Sequence, residues 1–241
     1  MIQACKDYAS KWIAFANSQK VIVIAPVFDV ENFASSQTGK YGSGGYRGLV
    51  GRHIDADELV IKLAQKYGTF TTTKDGRILL TGHSAGGQFT CRFIVRHPNH
   101  IAAAVVGSAG RFSYPDSSAN WPYGAGPTKG TIRWSETETR AIDVKPNIDT
   151  WAKAATLPIF AVVGADDLEP QPKRPAHRGT TRVELAQSWI EDMNKLAAER
   201  GAAGAAQVIV VPRNGHNGAD LPLAVQSAFV KSKRTWQRTI K

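Results

Sequence analysis

An α/β fold, with a mostly parallel sheet flanked by helices on both faces, is the class that this 241-residue sequence predicts. Two observations carry it. Five short runs are continuously apolar and rich in β-branched residues, the pattern of strands buried on both faces: VIVIAP (21–26), RILLT (77–81), IAAAVVG (101–107), LPIFAVVG (157–164) and AQVIVVP (206–212). Stretches with helical spacing separate them, and strands alternating with helices imply parallel strands joined by crossovers.

The elements follow in order. Residues 4–17 place Tyr8, Trp12 and Phe15 at helical spacing ahead of the first strand. After the acidic turn DADE (55–58), Leu59, Val60, Leu63, Ala64 and Tyr67 share one helical face, and Gly68 is placed to end that helix. The second strand runs into GHSAGG, after which Phe89, Phe93 and Ile94 predict a helix that stops before Pro98. Residues 110–156 break the rhythm with prolines, glycines and aromatics, and read as a lid-like insertion over one end of the sheet within a single domain spanning 1–241. Thr181 and Glu184 form a capping box for a helix carrying Ala186, Trp189, Ile190, Met193 and Leu196, with Gly201 as terminator. LPLAVQSAFVKS (221–232) predicts a last helix.

Composition excludes several classes. No run approaches the roughly 18 apolar residues of a membrane span, and the first twenty residues lack the layout of a secretory signal. Compartment and oligomeric state are not set by the sequence. The net charge of +10 is dispersed apart from KRPAHRGTTR and the C-terminal tail, outside any nucleic-acid-binding module, and reads as solvated surface. Cys5 and Cys91 are too few for a metal cluster. The glycine-rich GKYGSGGYRG (39–48) lacks the Lys-Ser/Thr ending of a phosphate loop, and the acids of HIDADE (53–58) are those expected at a helix start. Neither a metal nor an organic cofactor is expected.

Chemistry concentrates around Ser84. Gly82, His83, Ser84, Ala85 and Gly86 form G-x-S-x-G between a strand and a helix, where a sharp elbow lifts the serine above the sheet and glycines at Gly82, Gly86 and Gly87 avoid collisions. A serine hydroxyl needs a base, itself oriented by a carboxylate. Asp167 or Asp166 beyond the fourth strand, with Asp167 preferred as the last residue of Gly-x-x-Asp, and His216 beyond the fifth supply both in the chain order Ser, Asp, His. The other five histidines, His53, His83, His97, His100 and His177, read as surface or packing residues, with His83 lining the pocket. The backbone N–H of Ala85 is the expected oxyanion donor. Tyr114, Trp121 and Tyr123 in the insertion supply either an aromatic wall for substrate or the packing of an extra lobe.

LTGHSAGGQFTCRF, APVFDVENF, WPYG, VGADDLEP, RGTTR and VPRNGHNG together resemble segments, in the same order, of bacterial α/β-hydrolase-fold serine hydrolases near the polyhydroxybutyrate depolymerase-like and feruloyl-esterase-like enzymes. Val27 stands where that group has an acidic residue. The resemblance implies Ser84 as nucleophile, Asp167 as orienting carboxylate and His216 as base, acting on a small-molecule or polymeric ester. It also implies earlier strands and a His-Gly oxyanion element that are missing before Met1, so that an interior strand is expected to be absent between residues 21–26 and 77–81. A truncated hydrolase with impaired turnover is the corresponding expectation, unless another donor serves or the two flanking strands pair directly. A peptidase, thioesterase or acyltransferase on the same residues, and a non-catalytic protein of this fold, are the alternatives.

Overall fold

The computed structural model describes residues 2–33, 44–67, 76–134 and 137–236. The predicted terminator Gly68 and half of the glycine-rich stretch 39–48, residues 39–43, lie outside them. Four parallel strands, β1 (Ile78–His83), β2 (Ile101–Gly107), β5 (Ile159–Gly164) and β6 (Gln207–Val211), form the sheet in the order β1-β2-β5-β6. Their carboxyl ends therefore share one edge, from which every catalytic candidate projects.

Alternation of side chains explains why the central strands are apolar throughout. On β2, Ala104 and Val106 join one buried cluster while Ala103 and Val105 join another on the opposite face; on β5, Ala161 and Val163 oppose Phe160 and Val162 in the same way. The first face is covered by α5 (Ala85–Arg96), α6 (Ile148–Ala155) and α7 (Arg182–Glu199), which bury Phe93, Trp151 and Trp189. The second is covered by α8 (Leu221–Lys231), through Leu221, Val225 and Phe229, and by Trp12 and Phe15. Complete burial of one such aliphatic or aromatic side chain contributes about 1.5–3 kcal/mol. The Thr181–Glu184 capping box forms as its spacing predicts, and Gly201 follows α7 with φ of +72°.

Four expectations are corrected. The first helix is two, α1 (Ile2–Ser10) and α2 (Ile13–Gln19), and Tyr8 is 40% exposed. Residues 110–156 hold regular structure: the antiparallel pair β3 (Thr128–Arg133) and β4 (Thr139–Val144), then α6. That hairpin is tied down by Arg52 Nε donating to Glu138 at 2.9 Å and by Arg140 Nη1 donating to Asp55 at 2.7 Å. His97, read as a surface residue, is half-buried and reaches Asp57 at 2.7 Å, and Asp57 lies, as expected of a helix-start acid, in the first turn of α4 (Ala56–Tyr67), where it is buried.

The fourth concerns residues 21–26, which form no strand. β1 is the edge of the sheet among the described residues, and direct pairing of 21–26 with it does not occur. Between them lies an apolar cavity of about 610 Å³, walled by Val21, Val23, Leu79, Thr81, Phe89 and Phe229. Among the described residues no neighbouring ladder receives this strand pattern, and Ile22, Val23 and Ile24 remain 46%, 37% and 40% exposed. Beyond them the chain makes a short turn, α3 (Val30–Phe33), started by the Asp29 carboxylate accepting from the Asn32 N–H at 2.7 Å.

Candidate active site

Ser84 occupies the single-residue hinge between β1 and α5. Its φ of 54° and ψ of −110° lie outside the regions open to L-residues, a strain of about 1–3 kcal/mol that neighbouring contacts must offset. They do so from both sides. The Ser84 N–H donates to the Gly107 carbonyl at 2.8 Å, and the Ser84 carbonyl accepts from the Gln88 N–H at 3.0 Å.

Glycine is required here by close approach. A Cβ on Gly82 would lie 2.3 Å from the Gly86 carbonyl oxygen, and one on Gly87 would lie 2.5 Å from the Gly107 carbonyl oxygen. Gly86 differs from the expectation: nothing lies within 4 Å of its would-be Cβ, so its own side of the elbow is open.

The three residues distant in sequence meet above the sheet. His216 Nε2 is 3.0 Å from Ser84 Oγ, and His216 Nδ1 is 2.8 Å from Asp167 Oδ2. Loop ties at the carboxyl edge set this geometry, with the Asp166 N–H donating to Asn214 and the Ala165 N–H to Val211, both at 2.9 Å. A Cβ on Gly164 would sit 2.1 Å from the Asn214 carbonyl oxygen, so the two loops close only over a glycine. Asp167 is buried and Asp166 exposed, which separates the two aspartates that the sequence left open.

Sequence reasoning missed Arg182 as a site residue. Its Nη1 donates to Asp167 Oδ1 at 2.6 Å and its Nη2 to Glu169 at 3.0 Å, so Asp167 is held on one oxygen by a guanidinium and on the other by the imidazole. A cation at the first position of α7 opposes the helix dipole, and the two carboxylates offset this. The segment RGTTR carried the only signal, as part of a resemblance without a role attached.

His83 packs against His216 with ring centroids 4.9 Å apart, and burial, then the neighbouring His216, hold its imidazole below the ordinary histidine range. It lines the apolar cavity with Gly82 and Gly86, so that space opens beside Ser84. Ala85 begins α5, where backbone N–H groups have no acceptor within the helix and the dipole favours negative charge.

The aromatic residues of the insertion, left between a substrate wall and lobe packing, divide between full and partial burial. Tyr114 is buried, its hydroxyl donating to the Leu185 carbonyl at 3.0 Å and lying 2.8 Å from Ser188 Oγ, and Trp121 is buried edge-on against Trp151. Both pack the lobe. Tyr123 is half-buried and faces arginines. The Cys91 thiol is pushed up to about 11, chiefly by burial, which removes it as a nucleophile at neutral pH. Among the described residues no group of histidine, cysteine and acidic side chains is arranged to hold a metal ion, and no helix is long and apolar enough to cross a membrane.

Comparison with known proteins agrees with this architecture. The structure resembles LpqC, a poly(3-hydroxybutyrate) depolymerase from Bordetella parapertussis, with a TM-score of 0.72 and 22% identity over 100% of this chain and 78% of that one. It also resembles poly(aspartic acid) hydrolase-1 from Sphingomonas sp. KT-1, with a TM-score of 0.67 and 20% identity over 92% of this chain and 82% of that one. No curated protein sequence matches the chain. A sequence model described as the alpha/beta hydrolase family matches residues 19–229, and with that match over most of its length the chain belongs to the alpha/beta hydrolase family.

Proposed function

We propose that the protein is a serine hydrolase that cleaves carboxylic esters through an acyl-enzyme. The observation that carries this reading is the unbroken hydrogen-bonded line from Ser84 Oγ through His216 to Asp167, at 3.0 and 2.8 Å. In this reading His216 Nε2 takes the Ser84 proton as Oγ attacks the ester carbonyl, and the imidazolium is held by Asp167, itself fixed by Arg182. The oxyanion forms where the Ala85 N–H and the positive end of α5 favour negative charge. His216 then returns the proton to the leaving alkoxide, and a water activated by the same imidazole releases the acid and restores Ser84.

One structural neighbour is named for depolymerisation of a polyester, poly(3-hydroxybutyrate), which supports a polymeric ester as substrate, and the other for hydrolysis of poly(aspartic acid), whose bonds are amides and which favours the peptidase alternative. The test is turnover of p-nitrophenyl butyrate together with labelling by a fluorophosphonate probe, which reacts only with an activated serine. Both are expected for the folded protein, and Ser84→Ala is expected to abolish labelling and reduce turnover by at least about a thousandfold. Absence of labelling in folded protein, or labelling that survives Ser84→Ala, overturns the reading. Faster cleavage of peptide anilides or thioesters than of esters moves the assignment to another bond on the same residues.

A further inference from the structure

Four arginines are matched by an acid, Arg52 with Glu138, Arg140 with Asp55, Arg178 with Asp192 and Arg182 with Asp167. Four others that share one neighbourhood are not. Arg47, Arg92, Arg111 and Arg174 come from four separate stretches of chain, and none has a carboxylate within ion-pair distance among the described residues.

These four converge. The guanidinium carbons of Arg92 and Arg174 lie 6.0 and 5.6 Å from the centre of the Tyr123 ring, and the His177 ring meets the same tyrosine edge-on at 5.7 Å. Arg111 experiences the charges of Arg174 and Arg47 as well as the Tyr123 hydroxyl. Arg92 is buried and bound through Nη1 to the Arg47 carbonyl at 2.6 Å and through Nε to the Pro122 carbonyl at 3.3 Å, which fixes it as the floor of the group. Arg47, Arg111 and Arg174 are half-buried around it, and Arg111 Nε, Arg174 Nε and His177 Nε2 are buried without a hydrogen-bond partner.

His177 reports the resulting field. Burial first, and then the positive charges of Arg111, Arg92 and Arg174, depress its imidazole to about 4 against a hydrogen bond to the Phe112 backbone that acts the other way. Uncompensated cations held together by the fold repel one another, and an anion that joins them gains both that relief and several N–H donors in the fork geometry that suits a carboxylate. The stretch of chain that carries Arg111 borders the candidate site. Arg111 stands four residues beyond Gly107, whose carbonyl holds the Ser84 N–H, and a Cβ on the adjacent Gly110 would lie 3.6 Å from Arg182 Nε.

We propose that Arg47, Arg111 and Arg174, over a floor of Arg92 and Tyr123, bind a carboxylate, so that the ester substrate is one that carries a free acid group away from the scissile bond. The proposal rests on the ester-hydrolase reading and names its substrate class. In a polyester built from a diacid, each cut leaves a carboxylate on the acyl side of the next scissile bond, so such a group suits an oligomer presented by that acid end.

The test compares two p-nitrophenyl esters of equal chain length, the monoester of glutaric acid and the pentanoate, in the protein and in Arg111→Gln and Arg174→Gln. The ratio of kcat/KM for the acidic over the neutral ester is expected to exceed one in the parent and to fall by about tenfold in either variant, mainly through KM. An equal ratio in parent and variants overturns the proposal. Because that assay needs turnover, glutarate binding to Ser84→Ala protein is measured alongside by calorimetry, with and without Arg111→Gln. Loss of turnover with glutarate binding intact refutes the esterase reading alone, while no glutarate binding by the folded Ser84→Ala protein refutes the site. Inorganic phosphate is the control: binding as tight as that of glutarate overturns the carboxylate assignment. Where the glutamine variants fail to fold, Arg47→Gln, at the edge of the group, replaces them with the same expected fall in the ratio.

Discussion

Arg182→Met tests whether the orienting carboxylate depends on a residue outside the serine–histidine–aspartate line. Asp167 and Arg182 have side chains only 1% and 11% exposed and meet at 2.6 Å. Removing one partner of a buried pair costs about 3–5 kcal/mol, because the other charge stays desolvated. Here the residual anion keeps His216 at 2.8 Å, which places the expected loss near the lower end, about 3 kcal/mol. In a domain of this size each kcal/mol moves the melting temperature by about 2–4 °C, so the midpoint is expected to drop by about 6–12 °C. Turnover falls as well, by about ten- to a hundredfold, because Asp167 is then free to turn and the imidazole loses its fixed orientation toward Ser84. Thermal melts and ester kinetics on Arg182→Met, Asp167→Asn and the double variant give the pairwise term directly. The double variant is expected to lose about 2 kcal/mol less than the sum of the singles. A single variant that melts within about 1 °C of the parent and keeps its turnover refutes the argument that Arg182 positions the carboxylate.

Two other predictions concern the elbow and acid stability. Gly87→Ala drives a Cβ to 2.5 Å from the Gly107 carbonyl and is expected to cost at least about 1–3 kcal/mol, whereas Gly86→Ala meets open space and is expected to melt close to the parent; equal melting of the two variants contradicts the close-approach account. His177 has its folded value lowered to about 4 from the ordinary 6.5, so between those values the unfolded chain binds more protons than the folded one. Stability is therefore expected to fall as pH drops from about 6.5 to about 4, and His177→Gln is expected to flatten that slope in urea titrations at a series of pH values.

The candidate catalytic residues were legible because the fold converts position in sequence into position in space. In a parallel sheet every strand's carboxyl end lies on one edge, so Ser84, Asp167 and His216, each just beyond an apolar run, had to emerge near one another. The choice between Asp166 and Asp167 needed the loop's own hydrogen bonds, since the Asp166 N–H bonded to Asn214 turns that side chain outward. Arg182 was invisible for a different reason. A cation at a helix start violates the local electrostatic preference, and only the tertiary neighbours Asp167 and Glu169 account for it. The aromatic residues of 110–156 stayed open between two roles because ring content does not distinguish a pocket wall from a core; in the structure Tyr114 and Trp121 pack against the Ser188 side of α7 and against Trp151.

Residues 21–26 show the limit of pattern reading most clearly. Their continuous apolar run and β-branching match β2 and β5, yet β2 has a ladder on both sides and residues 21–26 have none among the described residues, facing β1 across an apolar cavity. Apolar periodicity specifies which side chains can be buried; it does not supply the neighbouring backbone that a strand needs to satisfy its N–H and C=O groups. The same cavity reaches His83 and Gly86, so the backbone that carries Ser84 is braced on its β2 side, by the Gly107 carbonyl, and bordered by open apolar space on the other. The position of Ser84 thus depends on the β1–β2 pairing and the α5 N-terminus, which makes the Gly82–Gly86 and Gly87–Gly107 contacts the local determinants of the site's geometry.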